Sequence, residues 1–192
     1  MKKVLVVSKG IFHPTLFCRM QLCRTIGRFN LIETEASSDL KSLDGITPEG
    51  FDAVVLYFHE KKVSDSVISS LKDYTEAGGL LVCIHGALAS FKEYPEYLKL
   101  TGSRFTGHGE ICEMNIKGFV DFSVTDEPYE FELSDDCKVL LESEGLPVCW
   151  VRKSGLGHVA GLSPGHRLST MKNHSFQNVI EYILNEYSCR GD

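Results

Sequence analysis

Paired cysteine motifs are absent from this sequence, although seven of its 192 residues are cysteine. No two of them are spaced as Cys-x-x-Cys, which excludes a zinc ribbon, and an odd number does not make a disulfide framework. Several lie inside apolar runs, where cysteine acts as a small core residue. We therefore expect reduced thiols and a cytoplasmic protein. The cysteines are Cys18, Cys23, Cys83, Cys112, Cys137, Cys149 and Cys189.

The sequence also lacks an excess of positive charge and a long apolar run. Its formal net charge is −6, and without a basic patch to displace counterions from phosphates we expect no nucleic-acid partner. No apolar segment approaches the roughly 18 residues that a membrane span requires, so we expect no membrane partner either. The apolar stretch at residues 4–7 is too short for the core of a signal peptide, and it fits a first buried strand instead.

The rest of the composition is that of an ordinary globular protein. The chain is 43% apolar and 24% charged, and 192 residues are enough to bury one hydrophobic core. The sequence contains no internal repeat, low-complexity segment or domain linker. It therefore predicts a single domain over residues 1–192.

Strand and helix patterns alternate through the first half. Apolar segments at residues 4–7, 31–35, 53–58 and 80–84 predict strands, and most of them read as covered on both faces. Helical patterns lie between them: one begins near Pro14, one runs from a Ser64 cap to Gly78-Gly79, and a short one covers residues 90–100. The inward residues of the first helix are predicted to be Leu16, Met20, Cys23 and Ile26. Strands joined by helical crossovers predict an α/β fold in which these four strands are parallel neighbours.

The pattern changes after residue 110 to shorter strand-like pieces. These lie at residues 111–124, 138–142, 148–151 and 158–162, and we expect them to be antiparallel additions or edge strands. A final helix is predicted to begin at Asn173 as its cap. The inward residues of that helix are predicted to be Phe176, Val179, Ile180, Ile183 and Leu184.

Histidines follow the predicted parallel strands. His13, His59 and His85 each come directly or shortly after a strand, and ligands of open α/β sheets bind at the carboxyl ends of the strands. His108 and His166 lie in glycine-bearing loops that can fold toward the same edge. We predict that His85, His108 and His166 line one pocket. His158, inside a predicted strand, and His174, at the start of the last helix, are left out.

Other chemistry near this edge stays open. A lone histidine is more often a hydrogen-bonded or solvated residue than a ligand, and no pair has local metal-ligand spacing. If His13, His59, His85 and His108 converge, they favour a divalent transition metal such as zinc. The acidic segment at residues 125–129 is either a turn or the source of a carboxylate, Glu127, that orients a histidine or acts as a base. Arg104 is a candidate for binding a hydroxylated or anionic ligand, and Cys83 reads as a buried structural thiol.

Several motifs together resemble a known family. They are Gly78–Ala87 (GGLLVCIHGA), Leu100–His108 (LTGSRFTGH), Thr125–Tyr129 (TDEPY), Pro147–Arg152 (PVCWVR) and the segment from Gly155 to His166. In this order they are similar to the ThuA (trehalose utilisation) family, and the resemblance runs over about residues 3–187. It implies a flavodoxin-like three-layer sandwich with a mainly parallel sheet, the fold of class I glutamine amidotransferases.

The resemblance also bears on activity. In the amidotransferases a nucleophilic cysteine occupies the turn after a strand, and a later histidine is followed two residues on by a carboxylate. Here the nucleophile position falls on His85, and the later histidine on His166, with Leu168 in place of the acid. Since an imidazole cannot form the thioester intermediate, we expect no glutaminase activity.

The family association with sugar catabolism sets the expected function. We expect a protein that acts on or binds a carbohydrate, trehalose-related or a keto-sugar, with His85, His166 and Glu127 as catalytic residues. The expected substrate-binding residues are His13, His59, His108 and Arg104. The alternatives are a non-catalytic ligand-binding or interaction domain and a metal-dependent hydrolase. The sequence is compatible with a homo-oligomer.

Overall fold

The computed structural model of the chain describes residues 1–11 and 14–188. The strands are β1 (Lys2–Ser8), β2 (Ile32–Ser37), β3 (Ala53–Tyr57), β4 (Leu80–Ile84), β5 (Ser103–His108), β6 (Cys112–Gly118), β7 (Phe122–Asp126), β8 (Tyr129–Leu133), β9 (Lys138–Ser143), β10 (Leu146–Ser154) and β11 (Gly157–Leu162). The helices are α1 (Leu16–Ile26), α2 (Asp65–Glu76), α3 (Pro95–Thr101), α4 (Leu168–Lys172) and α5 (His174–Glu186). Within the described residues, no helix is long and apolar enough to cross a bilayer.

Nine strands form one sheet in the order β2-β1-β3-β4-β11-β10-β9-β6-β7, and β5 pairs separately with β8. β1 pairs in parallel with both β2 and β3, and β4 pairs in parallel with β3 and β11. The predicted parallel arrangement of the first four strands is confirmed. β3 and β4 are buried at every residue, as expected of strands covered on both faces.

The other half of the sheet is antiparallel, so the expectation of a mainly parallel sheet is not confirmed and the sheet is mixed. Short turns are the physical reason, because a parallel connection needs a crossover of a dozen or more residues. Glu144 and Gly145, which join β9 to β10, have φ values of 52° and 82°. Positive φ at both central residues is characteristic of a tight hairpin turn that forces antiparallel pairing.

Two predicted strands differ in detail. The segment at residues 111–124 divides into β6 and β7, which form a hairpin. The segment at residues 158–162, predicted to be an antiparallel addition or an edge strand, is β11: it pairs antiparallel with β10, but it lies inside the sheet and is parallel to β4. The sequence of β11 is a continuous apolar run after a tight turn. Such a run does not indicate that β4, the neighbour on the other side of the strand, is parallel to it.

The core divides into two apolar clusters, one on each face of the sheet. α1 and α5 pack against one face, and α2 and α3 pack against the other, which gives three layers around the parallel strands. The start of α5 is as predicted, because the Asn173 side chain accepts a hydrogen bond from the Phe176 amide. All five predicted inward residues of α5 are buried.

The inward face of α1 agrees with the prediction at Ile26, which is buried, but differs from it in the first turns of the helix. Leu16 and Met20 are 47% and 60% exposed, while Cys18 and Leu22 are buried. The cap is Thr15, whose hydroxyl accepts from the Cys18 amide at 3.2 Å. Apolar residues lie on more than one side of this helix, so their spacing alone does not select the buried side. The predicted helix at residues 90–100 is also shorter, since α3 begins only at Pro95.

The close contact of β10 with β11 predicts a sensitive position in the core. A Cβ on Gly161 would lie 2.3 Å from ring atoms of the fully buried Trp150. We expect Gly161→Ala to lower the free energy of unfolding by about 1–3 kcal/mol, because the ring has no room to move. Urea unfolding measures this change. Gly50→Ala is the control, since its nearest neighbour is an ordinary 3.5 Å away, and equal effects of both substitutions would contradict this packing.

Candidate functional site

His85 follows β4 directly, in a short 3₁₀ turn over His85–Ala87. Its φ of 47° lies in the left-handed region that non-glycine residues rarely adopt, and its side chain is fully buried. Gly86 makes the turn possible, because a Cβ there would lie 2.7 Å from the carbonyl oxygen of Phe58, just beyond β3. Backbone strain of this kind is concentrated at functional sites.

A hydrogen bond to Ser163 determines the tautomer of His85. Nδ1 of the ring lies 2.9 Å from the carbonyl oxygen of Ser163, directly after β11. A carbonyl oxygen only accepts, so Nδ1 donates, and in the neutral ring Nε2 presents a lone pair on the opposite side. The end of β11 therefore orients the imidazole that β4 delivers.

A buried carboxylate, Asp126, holds the loop that carries His166. Its Oδ1 accepts from the amides of Glu127 at 2.8 Å and His166 at 3.0 Å. Its Oδ2 accepts from the amides of Gly165 at 3.2 Å and Arg167 at 3.4 Å. Asp126 is fully buried, and these charge-assisted bonds compensate for the loss of its hydration. The end of β7 is thereby tied to the loop between β11 and α4.

Glu127 lies at the centre of three histidines. Its Oε2 is 3.6 Å from Nε2 of His85 and 3.5 Å from Nδ1 of His166, and its Oε1 is 3.2 Å from Nδ1 of His108. His85 Nε2 and His166 Nδ1 are themselves 3.3 Å apart. The Glu127 side chain is only 15% exposed, whereas His108 is 55% exposed. The site therefore extends from the buried ring of His85 to the solvent-accessible ring of His108.

Aromatic rings support this cluster from one side. Tyr129 stacks on His85 with ring centroids 4.2 Å apart, and Phe105 packs against Tyr129 at 4.7 Å. Burial, followed by the nearby Glu127 and Asp126 carboxylates, raises the pKa of the Tyr129 hydroxyl well above its usual value. The hydroxyl therefore stays protonated beside these carboxylates.

Gly165 allows the His166 loop to approach His85. Its φ is 141°, and a Cβ there would lie 3.2 Å from the Cβ of His85. The hydroxyl of the buried Tyr57, at the end of β3, donates to the Gly165 carbonyl oxygen. The ends of β3, β4, β7 and β11 thus all contribute to the position of the two imidazoles.

The predicted site residues are distributed as follows. The structure brings His85, His108, His166 and Glu127 together, as their contacts above show, while their catalytic and binding roles stay predictions. Arg104 is not in this cluster: it is 62% exposed and forms a salt bridge with Glu132 across the β5–β8 pair. Strand alternation turns it away from the face on which Phe105 contacts Tyr129.

His59 lies beside the cluster, and His13 lies outside the described residues. The Cβ of His59 is 3.2 Å from where a Cβ of Gly86 would be, so the His59 side chain begins next to the His85 turn. His59 is exposed, but partial burial first, and then the charges of Lys92 and Lys61, lower the pKa of its imidazole. His59 is therefore neutral near pH 7.

Sequence reasoning missed the residues that hold the cluster in place. Asp126 was visible as one of two adjacent acids, but only burial distinguishes it as the structural one and Glu127 as the one facing the histidines. Tyr129, Ser163 and Tyr57 carried no signal, because their roles depend on contacts across the sheet. Cys83 is buried, as expected, and burial raises the pKa of its thiol to about 12, which excludes a thiolate nucleophile.

The protein has a three-layer α/β fold whose strands are parallel next to the site. At the carboxyl ends of these strands, histidines surround one carboxylate, and this arrangement is a candidate acid–base centre. The ThuA family model, described as "Trehalose utilisation", matches residues 3–183. The chain therefore belongs to the ThuA family. It matches no curated protein sequence.

Solved structures of low sequence identity share the fold. A protein from Parabacteroides merdae described as ThuA-like aligns with a TM-score of 0.76 at 15% identity, over 100% of this chain and 92% of that one. A cytoplasmic protein from Salmonella typhimurium aligns with a TM-score of 0.71 at 13% identity, over 95% and 98%. An exo-β-1,4-mannosidase from an Opitutaceae bacterium aligns with a TM-score of 0.66 at 11% identity, over 95% of this chain but only 34% of that one.

The position of Asp126 predicts a measurable loss of stability. We expect Asp126→Asn to lower the free energy of unfolding by about 2–3 kcal/mol, because an amide bonds these backbone donors more weakly and points a donor at some of them. Urea unfolding measures the loss. The exposed Asp135→Asn is the matched control and is expected to change stability by less than about 0.5 kcal/mol. An equally small change in Asp126→Asn would contradict the role of this carboxylate.

Proposed function

We propose that this protein is an enzyme that acts on a carbohydrate, a trehalose-related sugar or a keto-sugar, by acid–base chemistry at the Glu127 cluster. One observation carries the proposal: a largely buried carboxylate faces three imidazoles at the carboxyl edge of the parallel strands. Membership in the trehalose-utilisation family and the fold likeness to a mannosidase domain support the substrate class.

The geometry supports a division of roles within the cluster. Glu127 is the proton acceptor, since His85 and Tyr129 exclude water from most of its surface and leave it 15% exposed. His85 and His166 position the carboxylate and polarise the reacting oxygen. His108 is the most accessible of the cluster's histidines and is suited to contact the substrate and exchange protons with solvent.

A neighbouring cavity is suited to the rest of a sugar. It has a volume of about 350 Å³ and is lined by His59, Glu60, Lys61, Ala89, Phe91, Lys92 and Glu93. Lys92, in the cavity lining, lies 4.1 Å over the ring of Phe105, which in turn contacts Tyr129, so a chain of contacting side chains links the cavity lining to the cluster. Its size is within the range of small-molecule sites, and its charged and aromatic lining suits hydroxyl groups and a ring face.

The proposal includes the absence of glutaminase activity and a cytoplasmic location. His85 occupies the turn that a nucleophilic cysteine would need, and the nearby Cys83 thiol is buried and protonated. Free thiols at all six cysteines of the described part of the chain are consistent with a reducing compartment. The cytoplasmic protein from Salmonella typhimurium with the same fold agrees with this location.

A proton-exchange experiment tests the function. The protein is incubated in deuterium oxide with a keto-sugar. Proton NMR measures the loss of the proton signal at the carbon next to the carbonyl group as deuterium replaces hydrogen there. We expect the wild type to catalyse the exchange and Glu127→Gln to lose about 100-fold or more, the usual contribution of a general base. Glu132→Gln, an exposed residue on the adjacent strand β8, is the matched control and is expected to keep wild-type exchange.

Binding measurements separate the proposed enzyme from a non-catalytic binding domain. Calorimetric titration with the same keto-sugar and with trehalose reports affinity without turnover. Binding without any exchange would replace the enzyme with a ligand-binding domain, and the absence of both would contradict the proposed substrate class. Arg104→Ala is expected to leave binding unchanged, since its guanidinium pairs with Glu132 outside the cluster.

A further inference from the structure

We propose that His85, His166 and Glu127 bind one divalent transition metal ion of the zinc type. The ligand atoms are Nε2 of His85, Nδ1 of His166 and Oε2 of Glu127. This inference deepens the proposed function, on which it rests for the role of the ion in catalysis: Oε2 of Glu127 would bind the ion, and Oε1, beside His108, would stay the proton acceptor. The binding of the ion itself does not depend on that role.

The three atoms have the spacing of metal ligands. Their separations are 3.3 Å between the two nitrogens, 3.6 Å from His85 to Glu127 and 3.5 Å from His166 to Glu127. Zinc holds imidazole nitrogen and carboxylate oxygen at about 2.0–2.2 Å in tetrahedral sites, which puts neighbouring ligand atoms about 3.3–3.6 Å apart. The triangle is therefore one face of such a tetrahedron.

Hydrogen bonds between neutral imidazoles and the Glu127 carboxylate do not account for all three edges of this triangle. His85 donates from Nδ1 to the Ser163 carbonyl oxygen, so Nε2 of the neutral ring offers a lone pair, as do the Glu127 oxygens. When both rings are neutral, a proton on Nδ1 of His166 can lie along one edge of the triangle, and the edge from His85 to Glu127 brings two lone pairs together. A single cation attracts all three atoms at once, in a site where burial makes uncompensated repulsion costly.

Residues around the triangle have the positions of supporting partners in metal sites. A ligating histidine usually donates its other ring nitrogen to a carbonyl or carboxylate, as His85 does to Ser163. His108 approaches the second oxygen of Glu127 at 3.2 Å, which leaves Oε2 for the ion. Asp126 holds the His166 amide at 3.0 Å, so the ligands are pre-positioned before an ion binds.

The ligand set indicates both the metal and its use. Two imidazoles and one carboxylate favour zinc and its neighbours over magnesium or calcium, which prefer all-oxygen sites. Three protein ligands leave a fourth position open, as in catalytic zinc sites. His166 is 29% exposed while His85 is fully buried, so the open position faces the accessible side of the site. There the ion can polarise a sugar carbonyl oxygen or a water molecule.

Metal binding is tested on the full chain without an affinity tag. The protein is stripped with a chelator, the chelator is removed, and zinc chloride alone is titrated by calorimetry. We expect one equivalent of zinc per chain in the wild type and an affinity at least about tenfold lower in His166→Gln and in Glu127→Gln. His174→Gln is the matched control, because it removes an exposed histidine outside the triangle and is expected to bind like the wild type.

A cobalt titration and a folding check complete the test. We expect cobalt(II) to give visible absorption bands of a low-coordinate nitrogen–oxygen site in the wild type and to lose them in both ligand variants. Circular dichroism verifies that each variant is folded, and Glu127→Gln keeps the test decisive if His166→Gln does not fold. Folded wild-type protein that takes up no zinc, or ligand variants that bind it as the wild type does, would overturn the inference.

The outcome is separate from that of the proposed function. If protein that binds no metal catalyses deuterium exchange into the keto-sugar, the metal site is refuted and the acid–base proposal is retained. Stoichiometric zinc in protein that neither binds nor turns over a sugar would keep the metal site and refute the carbohydrate proposal. Restoration of exchange when zinc is added to the stripped enzyme would support both.

Discussion

The carboxylate of Asp126 is the constraint on which the site depends. β7 lies at the outer edge of the antiparallel half of the sheet, whereas His85 and His166 follow strands in its middle. Asp126 accepts hydrogen bonds from three consecutive amides of the loop after β11. These bonds connect the end of β7 to the middle of the sheet and bring the neighbouring Glu127 against both imidazoles. A buried charge tolerates little displacement from its donors, so the two loops are held in one relative position.

The same arrangement explains how a strained turn persists. His85 is held at positive φ by its hydrogen bond to Ser163, by the stacked ring of Tyr129 and by the close approach of Gly165. Tyr129 begins β8, whereas Ser163 and Gly165 share the loop after β11, so two segments distant in sequence from the His85 turn support its strained conformation. The result is an imidazole whose tautomer and direction are determined before any ligand arrives, which is what acid–base catalysis and metal binding both require.

The sequence predicted secondary structure correctly where a local pattern was compatible with only one element. The buried runs of β3 and β4 and the capped, one-sided α5 were predictable because periodicity and capping are short-range properties. It failed for α1, where apolar residues occur on several sides, and for β11, whose parallel neighbour is distant in the chain. The two-residue turn at Glu144-Gly145 carried a local signal for antiparallel pairing, but not for how the hairpins join the parallel strands.

The sequence by itself determined that histidines follow the parallel strands and that a glycine comes after His85, since strand, turn and residue type are all read locally. It also determined the family, because an ordered set of motifs persists along the chain. Glu127 was expected to act with the histidines, but only the tertiary structure showed that its neighbour Asp126 holds the loop, that Arg104 lies outside the cluster, and that three ligand atoms lie within metal-binding distance of each other. Those outcomes depend on burial and on contacts between distant segments, which are set by packing across the sheet and not by spacing in the sequence.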